Sequence, residues 1–490
     1  MARVKIATLD TFQGVDRRRP ITSSDPKTLY VGNNVEVTRG GTVRSAPIPR
    51  IEAELPVASV GLYAAGGKLR TIVPAGYDLE GTAPHNFVYD AVSRYGVDPD
   101  YGESITLRYT QLHASTTHGA DAQGKPFPYV VLGTATGAVE HHYIDGTAQT
   151  RVELPFTPGK TLVKQSGKLF ASNLGEGLVH FSSTEFGPRE WRGEPGDRAE
   201  NDAGFIDITR YASGDPRIRG LTFQGTQLVV FFQDAVQFWI TDPDPANFQF
   251  HRSLVGPGTP YFGSVSPIIY DLYFFAQSGF HSIQAVSALG ETEQGDIGAQ
   301  VFDISKQFTD GTYDVHALWS QYRSQYLCFF VKDDATTVFI RTVSPLGGIS
   351  AWTTWEFDFP VEYAVELGNK VYLRSDDTVY RLDDSEIGEA LGFTATVETH
   401  MVDGGSPRRL KSWDSIDLSL QGTIDTLSYR SDPLDPTKTW VGARNIGYTA
   451  PGGLVPILGV SHNLGVVMSA TKGFELSSIA LQFTELQGAG

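Results

Sequence analysis

The feature that most constrains this chain is a short unit that recurs along it. Each copy is a strand-like apolar run, a tight turn bearing Gly, Asp or Ser, and a second apolar run. It reads as Gly61-Leu-Tyr-Ala-Ala-Gly-Gly-Lys-Leu-Arg-Thr-Ile-Val73, as Leu162-Val-Lys-Gln-Ser-Gly-Lys-Leu-Phe-Ala171 and as Leu221-Thr-Phe-Gln-Gly-Thr-Gln-Leu-Val-Val-Phe-Phe232. It returns over residues 268–275, 318–330 and 364–373, the last followed by another turn and strand at 375–382. β-branched and aromatic runs punctuated by turn residues read as hairpins. The turns at Gly167, Gly225, Asp271, Arg323 and Gly368 lie 58, 46, 52 and 45 residues apart. An irregular period of about 50 is the length of a four-stranded propeller blade with its loops. A single blade cannot cover both of its faces, so blades stack around an axis and bury one another. A series of unrelated hairpins in sandwiches is the alternative, and the period leaves the blade count open at roughly five to seven.

Composition agrees with strands. The chain holds 28 Phe, 21 Tyr and 7 Trp against 3 Met, with 52 Gly and 27 Pro, which suits many turns and nearly rules out a helical bundle. Helical periodicity is almost absent, and the best short helix is expected over residues 383–391, where Asp or Ser could cap a turn or two. The last hundred residues differ from the repeat. Thr394-Ala-Thr-Val-Glu-Thr-His-Met-Val402, residues 411–420 and residues 477–484 alternate apolar and polar, the pattern of half-buried antiparallel strands. The expected fold is all-β. A turn-rich N-terminal arm (1–56) wraps an irregular β-propeller-like body (57–384), and a β-sandwich or barrel-like domain (385–490) follows.

The formal net charge of −17 argues against a protein that reads nucleic-acid sequence, which needs Lys and Arg to neutralise phosphates. It leaves open a surface along which nucleic acid slides without sticking. The single cysteine, Cys328, lies in the apolar run Tyr326-Leu-Cys-Phe-Phe-Val331 and reads as a buried small hydrophobe, so no internal disulfide forms. Asp234 and Asp271 interrupt the most apolar stretches well short of the ~18 residues of a membrane span. The first ten residues lack the apolar core of a signal peptide, so the expectation is a soluble chain made in a cytoplasm.

Motifs for chemistry are scarce. His141 and His142 are adjacent in an expected strand and point to opposite faces, so they cannot share a metal ion. Asp98-Pro-Asp-Tyr-Gly-Glu103 and Asp242-Pro-Asp-Pro-Ala-Asn247 lack the spacing of a calcium loop and read as turns. Ser183-Thr-Glu-Phe-Gly-Pro-Arg-Glu-Trp191 approaches the aspartate-box turn of sialidase-type propellers, but carries Glu185 where that box needs Asp. It reads as a blade-closing turn with Trp191 in the core. No phosphate-binding, dinucleotide or nucleophile-elbow motif occurs, and no catalytic, metal or cofactor residue is expected. Two basic clusters remain as candidate interface or phosphate contacts: Arg17, Arg18 and Arg19, and Arg408, Arg409 and Lys411.

The arrangement resembles the tail nozzle (tail tubular, or hub) proteins of short-tailed bacteriophages. The resemblance is carried by Phe12-Gln-Gly-Val-Asp16, by Leu29-Tyr-Val-Gly-Asn-Asn-Val-Glu-Val-Thr-Arg-Gly-Gly-Thr-Val-Arg44, and by Pro47. Residues 215–239 and 263–283 are similar to blades of the same family, although Arg44-Ser-Ala-Pro-Ile48 lacks that family's second Arg and final Gly. The resemblance implies a non-enzymatic virion protein in the phage tail, without cofactor. Six copies would form a ring bound to the tail adaptor protein, and duplex DNA would pass through the centre without sequence-specific contacts. Tail fibre or tip proteins would be further partners. The alternatives are a carbohydrate-binding propeller, such as a receptor-binding tail component or lectin, and a propeller glycosidase.

Overall fold

The computed structural model describes residues 4–18, 20–22, 27–56, 59–74, 87–92, 109–120, 124, 126–145, 148–184, 187–192, 202–212, 214–256, 258–261, 263–268, 271–284, 296–344, 348–435, 438–447, 449 and 454–486. Five strands come first: β1 (Val4–Asp10), β2 (Leu29–Asn33), β3 (Val35–Val37), β4 (Val43–Ser45) and β5 (Ile48–Glu54). The repeated hairpins then build seven successive blades.

Blade one is β6 (Val60–Ala65), β7 (Lys68–Pro74) and β8 (Phe87–Val92), the last parallel to β7. Blade two is β9 (Tyr109–Ala120), β10 (Pro126–Thr134), β11 (Val139–Asp145) and β12 (Ala148–Val152). Blade three is β13 (Pro158–Gln165), β14 (Lys168–Asn173), β15 (Leu178–Phe181) and β16 (Gly204–Asp207). Blade four is β17 (Gly220–Gln224), β18 (Gln227–Phe231), β19 (Ala235–Ile240) and β20 (Gln249–Val255). Blade five is β21 (Ser266–Ile268), β22 (Asp271–Ala276) and β23 (Gly279–Ser282). Blade six is β24 (Asp314–Ser320), β25 (Gln325–Lys332), β26 (Ala335–Ser344) and β27 (Ile349–Phe357). Blade seven is β28 (Tyr363–Leu367), β29 (Lys370–Ser375) and β30 (Thr378–Asp383), completed by β5 from the other end of the chain.

The first strand of each blade packs beside the first strand of the next, and β28 returns to β6, so the inner strands close a ring. That ring is a seven-bladed propeller. Its closure is β5 against β30, antiparallel, with Ala53 opposite Val379.

Each seam between blades has its own apolar core, and strand periodicity explains how. On β18, Leu228 and Val230 pack toward blade three with Phe170, Val179 and Phe181. Their neighbours Val229 and Phe231 point the other way, toward Leu272 and Phe274 of blade five. A middle strand buried on both faces therefore reads as a continuous apolar run instead of an alternating one. The hairpin turns at Gly167, Gly225, Arg323 and Gly368 all join the first and second strands of a blade, and Gly167, Gly225 and Gly368 take positive φ there. Asp271 opens the second strand of blade five.

The remaining strands are β31 (Ala390–Thr399), β32 (Lys411–Gln421), β33 (Ile424–Arg430), β34 (Thr439–Ile446), β35 (Val455–Ser461), β36 (Gly465–Lys472) and β37 (Glu475–Glu485). They form a sandwich whose two sheets both recruit the N-terminal strands. One sheet runs β3-β4-β37-β32-β35 with β1 also on β37. The other continues blade six outward as β24-β25-β26-β27-β2-β31-β36-β33-β34. Trp413, Ile416, Leu481 and Phe483 from the first sheet meet Val397, Leu427, Tyr429 and Met468 from the second in one buried core. The N-terminal strands β1–β5 are thus woven into the sandwich and blade seven.

Residues 383–391 form no helix. β30 ends at Asp383, a turn follows, and β31 begins at Ala390. The aspartates that could have capped a helix bind elsewhere: Asp383 pairs with Arg381 at 2.9 Å, and Asp384 with Arg323 at 2.6 Å. The helix α1 (Phe302–Ser305) is a single turn.

Candidate functional site

The axis of the propeller holds a cavity of about 980 Å³. It opens where the inner strands begin: Val60 and Gly61 of β6, Thr110–Ala114 on β9, Lys160–Leu162 on β13, Leu221 of β17, and the starts of β24 and β28 line it. Tyr261, Tyr313 and Tyr363 add aromatic surface. Its ionisable groups are unevenly placed around the ring. Lys160 and His113 come from blades two and three, whereas Asp314, Glu362, Asp376 and Asp377 come from blades six and seven across the axis.

Arg374 also reaches the cavity but is committed to structure. Its guanidinium donates to the carbonyls of Gly61 (2.7 Å), Ser59 (2.8 Å) and Asp376 (2.6 Å), tying blade seven to blade one. Burial raises the Glu362 carboxyl, and Asp376 and Asp377 add to this against the opposing pull of Arg374. Burial, with the charge of Lys160 behind it, lowers His113 to about 4; burial lowers His316 to about 4. Both imidazoles are therefore neutral near pH 7. The cavity pairs no nucleophile with a base, and no group of three or more potential metal ligands occurs among the described residues. What this arrangement offers is a polar, acid-biased pocket suited to a hydroxyl-rich or cationic molecule.

A second assembly of polar groups sits where the propeller joins the sandwich. Glu36 of β3 is 1% exposed and accepts from Arg323 (2.8 Å), from Gln325 (2.8 Å) and from Arg44. Burial would raise its carboxyl, but Arg323 and Arg44 outweigh that and hold it at about 2. Asn34, in the left-handed region at φ 53°, donates its side-chain amide to the Thr394 carbonyl and accepts from the Glu356 amide. It thereby ties β31 to β27. Gly14 has φ 76°, and an added Cβ would lie 2.5 Å from the Trp352 carbonyl oxygen. The N-terminal motif residues are thus the joint between the two bodies. Sequence reasoning singled them out by resemblance, and the dense Gly and Asn usage was the only local signal of their close approaches.

Four members of the basic clusters, Arg17, Arg18, Arg409 and Lys411, are engaged within the chain. Arg17 lies 3.8 Å over the Tyr30 ring and donates to the Tyr30 carbonyl at 3.2 Å. Arg18 pairs with the buried Asp16 at 2.6 Å, and Arg19 lies outside the described residues. Arg409 pairs with Glu485 at 2.9 Å, and Arg408 is exposed. Lys411 is fully buried, and its ammonium donates to the carbonyls of Ser406 (2.7 Å), Arg409 (2.9 Å) and His462 (3.0 Å). All three of its donors are used, which leaves none for a phosphate.

Other residues that drew notice in the sequence have structural roles. His141 packs against Tyr129 and Trp191, while His142 faces Tyr109 and Glu140 on the other side of β11. Trp191 is buried and donates to the Pro188 carbonyl at 2.9 Å; Glu185 lies outside the described residues. Asp244 caps a short 3-10 turn over Pro245–Asn247, and residues 98–103 lie outside the described residues. Cys328 is fully buried, and burial pushes its thiol up to about 12, so it is inert. Among the described residues no helix is long and apolar enough to cross a membrane.

No protein-family model and no curated protein matches the chain. Solved structures similar to it include the extracellular domain of a one component system from B. thetaiotaomicron, at TM-score 0.35 and 10% identity. That match covers 81% of this chain and 47% of the other, so the chain spans about half of that relative's length. The WD40 domain of Toxoplasma gondii coronin is similar at TM-score 0.34 and 8% identity, covering 78% of this chain and 86% of the other. Hsv2 of Kluyvelomyces marxianus is similar at TM-score 0.30 and 10% identity, covering 60% of this chain and 93% of the other. Likenesses at this level add nothing to the strand pairings, which by themselves make the body a propeller.

Proposed function

We propose that this chain is a structural virion protein, the tail nozzle of a short-tailed phage, which assembles with its own copies into a ring bound to the tail adaptor. The observation that carries the reading is the use of its most distinctive motif. Phe12, Val15, Leu29, Val35 and Glu36 are all buried, and they join the propeller to the sandwich. A motif spent on rigid joining suits a subunit that must hold its shape while DNA passes.

Charge supports the same reading. Six copies would carry six times −17, or −102. An acidic bore repels a duplex over a Debye length of about 10 Å, which favours sliding over capture. The test is native mass spectrometry with negative-stain imaging across a concentration series, with and without an adaptor ring. Six-fold rings with an open bore are expected; a closed two-fold dimer, or failure to assemble even on the adaptor, overturns the reading. In assembled particles, replacing acids that line the bore with Lys is expected to slow DNA ejection in vitro. An unchanged rate would sink the acidic-wall account.

The axial cavity favours a second reading, a carbohydrate-binding propeller. Its volume of about 980 Å³ and its Tyr and carboxylate lining suit a sugar. A glycan array separates the two: saturable binding lost on Glu362→Gln supports the second reading, and a blank array removes it.

A further inference from the structure

The first sandwich sheet has two open edges of complementary character. Across it, β1, β37, β32 and β35 lie side by side, each antiparallel to its neighbour. Register aligns Val4 with Thr484, Thr484 with Ser412, and Ser412 with Val460, so these four share one face. The inner residues Leu481 and Phe483 of β37 point into the core, which puts that row on the outward face.

The outward face is polar in the middle and apolar at both rims. In the middle, Asp414 accepts from Ser412 (3.2 Å) and from Thr484 (3.0 Å). On the β1 rim, Val4 is 55% and Ile6 is 61% exposed; on the β35 rim, Leu458 is 88% and Val460 is 60% exposed. Neither rim strand has a backbone partner on its outer edge among the described residues. Leu458 also stands at φ 53°, in a bulge where it and Ile457 face the single residue Asp414. Bulges re-aim side chains, and a bulky residue held in the left-handed region is strained. An exposed apolar edge left open is an invitation to another strand.

We infer that the β1 edge of one copy pairs with the β35 edge of the next. Strand polarity allows it directly. β1 runs parallel to β32 and therefore opposite to β35, so two copies in the same orientation meet as an antiparallel pair and the sheet continues. Val4 and Ile6 then become cross-strand neighbours of Leu458 and Val460, and both apolar rims are covered. The two surfaces differ, so the contact is head-to-tail, and repetition generates a ring where the rotation closes. The pairing stands on the sheet alone. Its closure into a ring of fixed number rests on the nozzle reading.

The test uses the full chain and two exposed-site variants, Ile6→Lys and Leu458→Lys, with unchanged melting temperature as the check on folding. Native mass spectrometry across a concentration series is expected to show self-association of the wild type. Each variant alone should weaken it about tenfold or more. The decisive result is the mixture: each variant keeps one intact edge, so the two together form a one-to-one dimer that grows no further. Assemblies that survive both substitutions overturn the edge pairing and leave the ring reading standing on another surface. A wild type that stays monomeric throughout also overturns it, while a ring that forms only on an adaptor would still fit the nozzle.

Discussion

Gly14 shows how a single backbone position can fix the relation of two bodies. With φ at 76° and Trp352 backbone where a Cβ would go, Gly14→Ala must either shift β27 or strain the turn. A loss of roughly 2–4 kcal/mol in denaturant unfolding is expected. Glu36 makes the joint sensitive to pH. Its carboxyl is held at about 2 against an ordinary 4.5. The stabilisation it contributes is therefore complete above about pH 4.5 and is lost as pH falls toward 2, about 3 kcal/mol in all. Urea midpoints measured down that range should fall for the wild type. Glu36→Gln should start about 2–4 kcal/mol lower, because Arg323 and Arg44 lose the buried carboxylate they share and keep only the half-exposed Asp384, and should show a flatter acid limb. The basic pair Arg408 and Lys411 divides in the same way. Lys411→Met abandons three buried carbonyls and should cost about 2–4 kcal/mol, whereas Arg408→Ala at an exposed turn should change stability by about 0.5 kcal/mol or less.

Among the elements, β5 has the largest consequence for its length. It pairs with β30 and so ties the N-terminal stretch to the last blade, and its residues meet different surroundings. Ala53 is 6% exposed and packs with Leu62, Leu69 and Tyr372 in the seam between blades seven and one; Ile51 is 66% exposed. Ala53→Asp should therefore open the ring at this seam and cost about 3–5 kcal/mol, while Ile51→Asp should stay within about 0.5 kcal/mol. A bulge between the two positions turns Ile51 outward while Ala53 stays inward, and chemical denaturation of the two variants checks that arrangement. Blade two shows why an element can escape sequence reading. Its first strand, Tyr109-Thr-Gln-Leu-His-Ala-Ser-Thr-Thr-His-Gly-Ala120, is Ser-, Thr- and His-rich, and bulges break its register with β10. A polar, irregular strand carries neither the apolar run nor the clean alternation by which the other hairpins were found.

For the whole molecule, the joining of propeller and sandwich through one continuous sheet predicts coupled behaviour. Blade six and the second sandwich sheet share β2, so β25, β26, β31 and β36 should exchange their amide hydrogens as one protected unit. Blade one, a sheet of three strands among the described residues and two blades further around the ring, should open more easily. Hydrogen exchange read by mass spectrometry distinguishes this from two independently unfolding bodies, which would give the propeller strands one protection level and the sandwich strands another.

The class of fold and most of its units are legible in the residue pattern alone. Tight turns between β-branched and aromatic runs leave a chain little choice but hairpins, and hairpins with two apolar faces must stack. Alternation in residues 394–402, 411–420 and 477–484 likewise announced half-buried strands. Only the tertiary structure decided the number of blades, because a loosely periodic repeat does not say how much rotation each unit contributes. Only it brought Glu36 to Arg323 and Ala53 to Val379, pairs separated by hundreds of residues whose attraction leaves no local trace. It also decided the fate of the charged residues. Lys411 looked like a surface cation beside Arg408 and Arg409, yet three carbonyls from separate turns converge on it. Whether a lysine meets solvent or is buried depends on what the rest of the chain places around it.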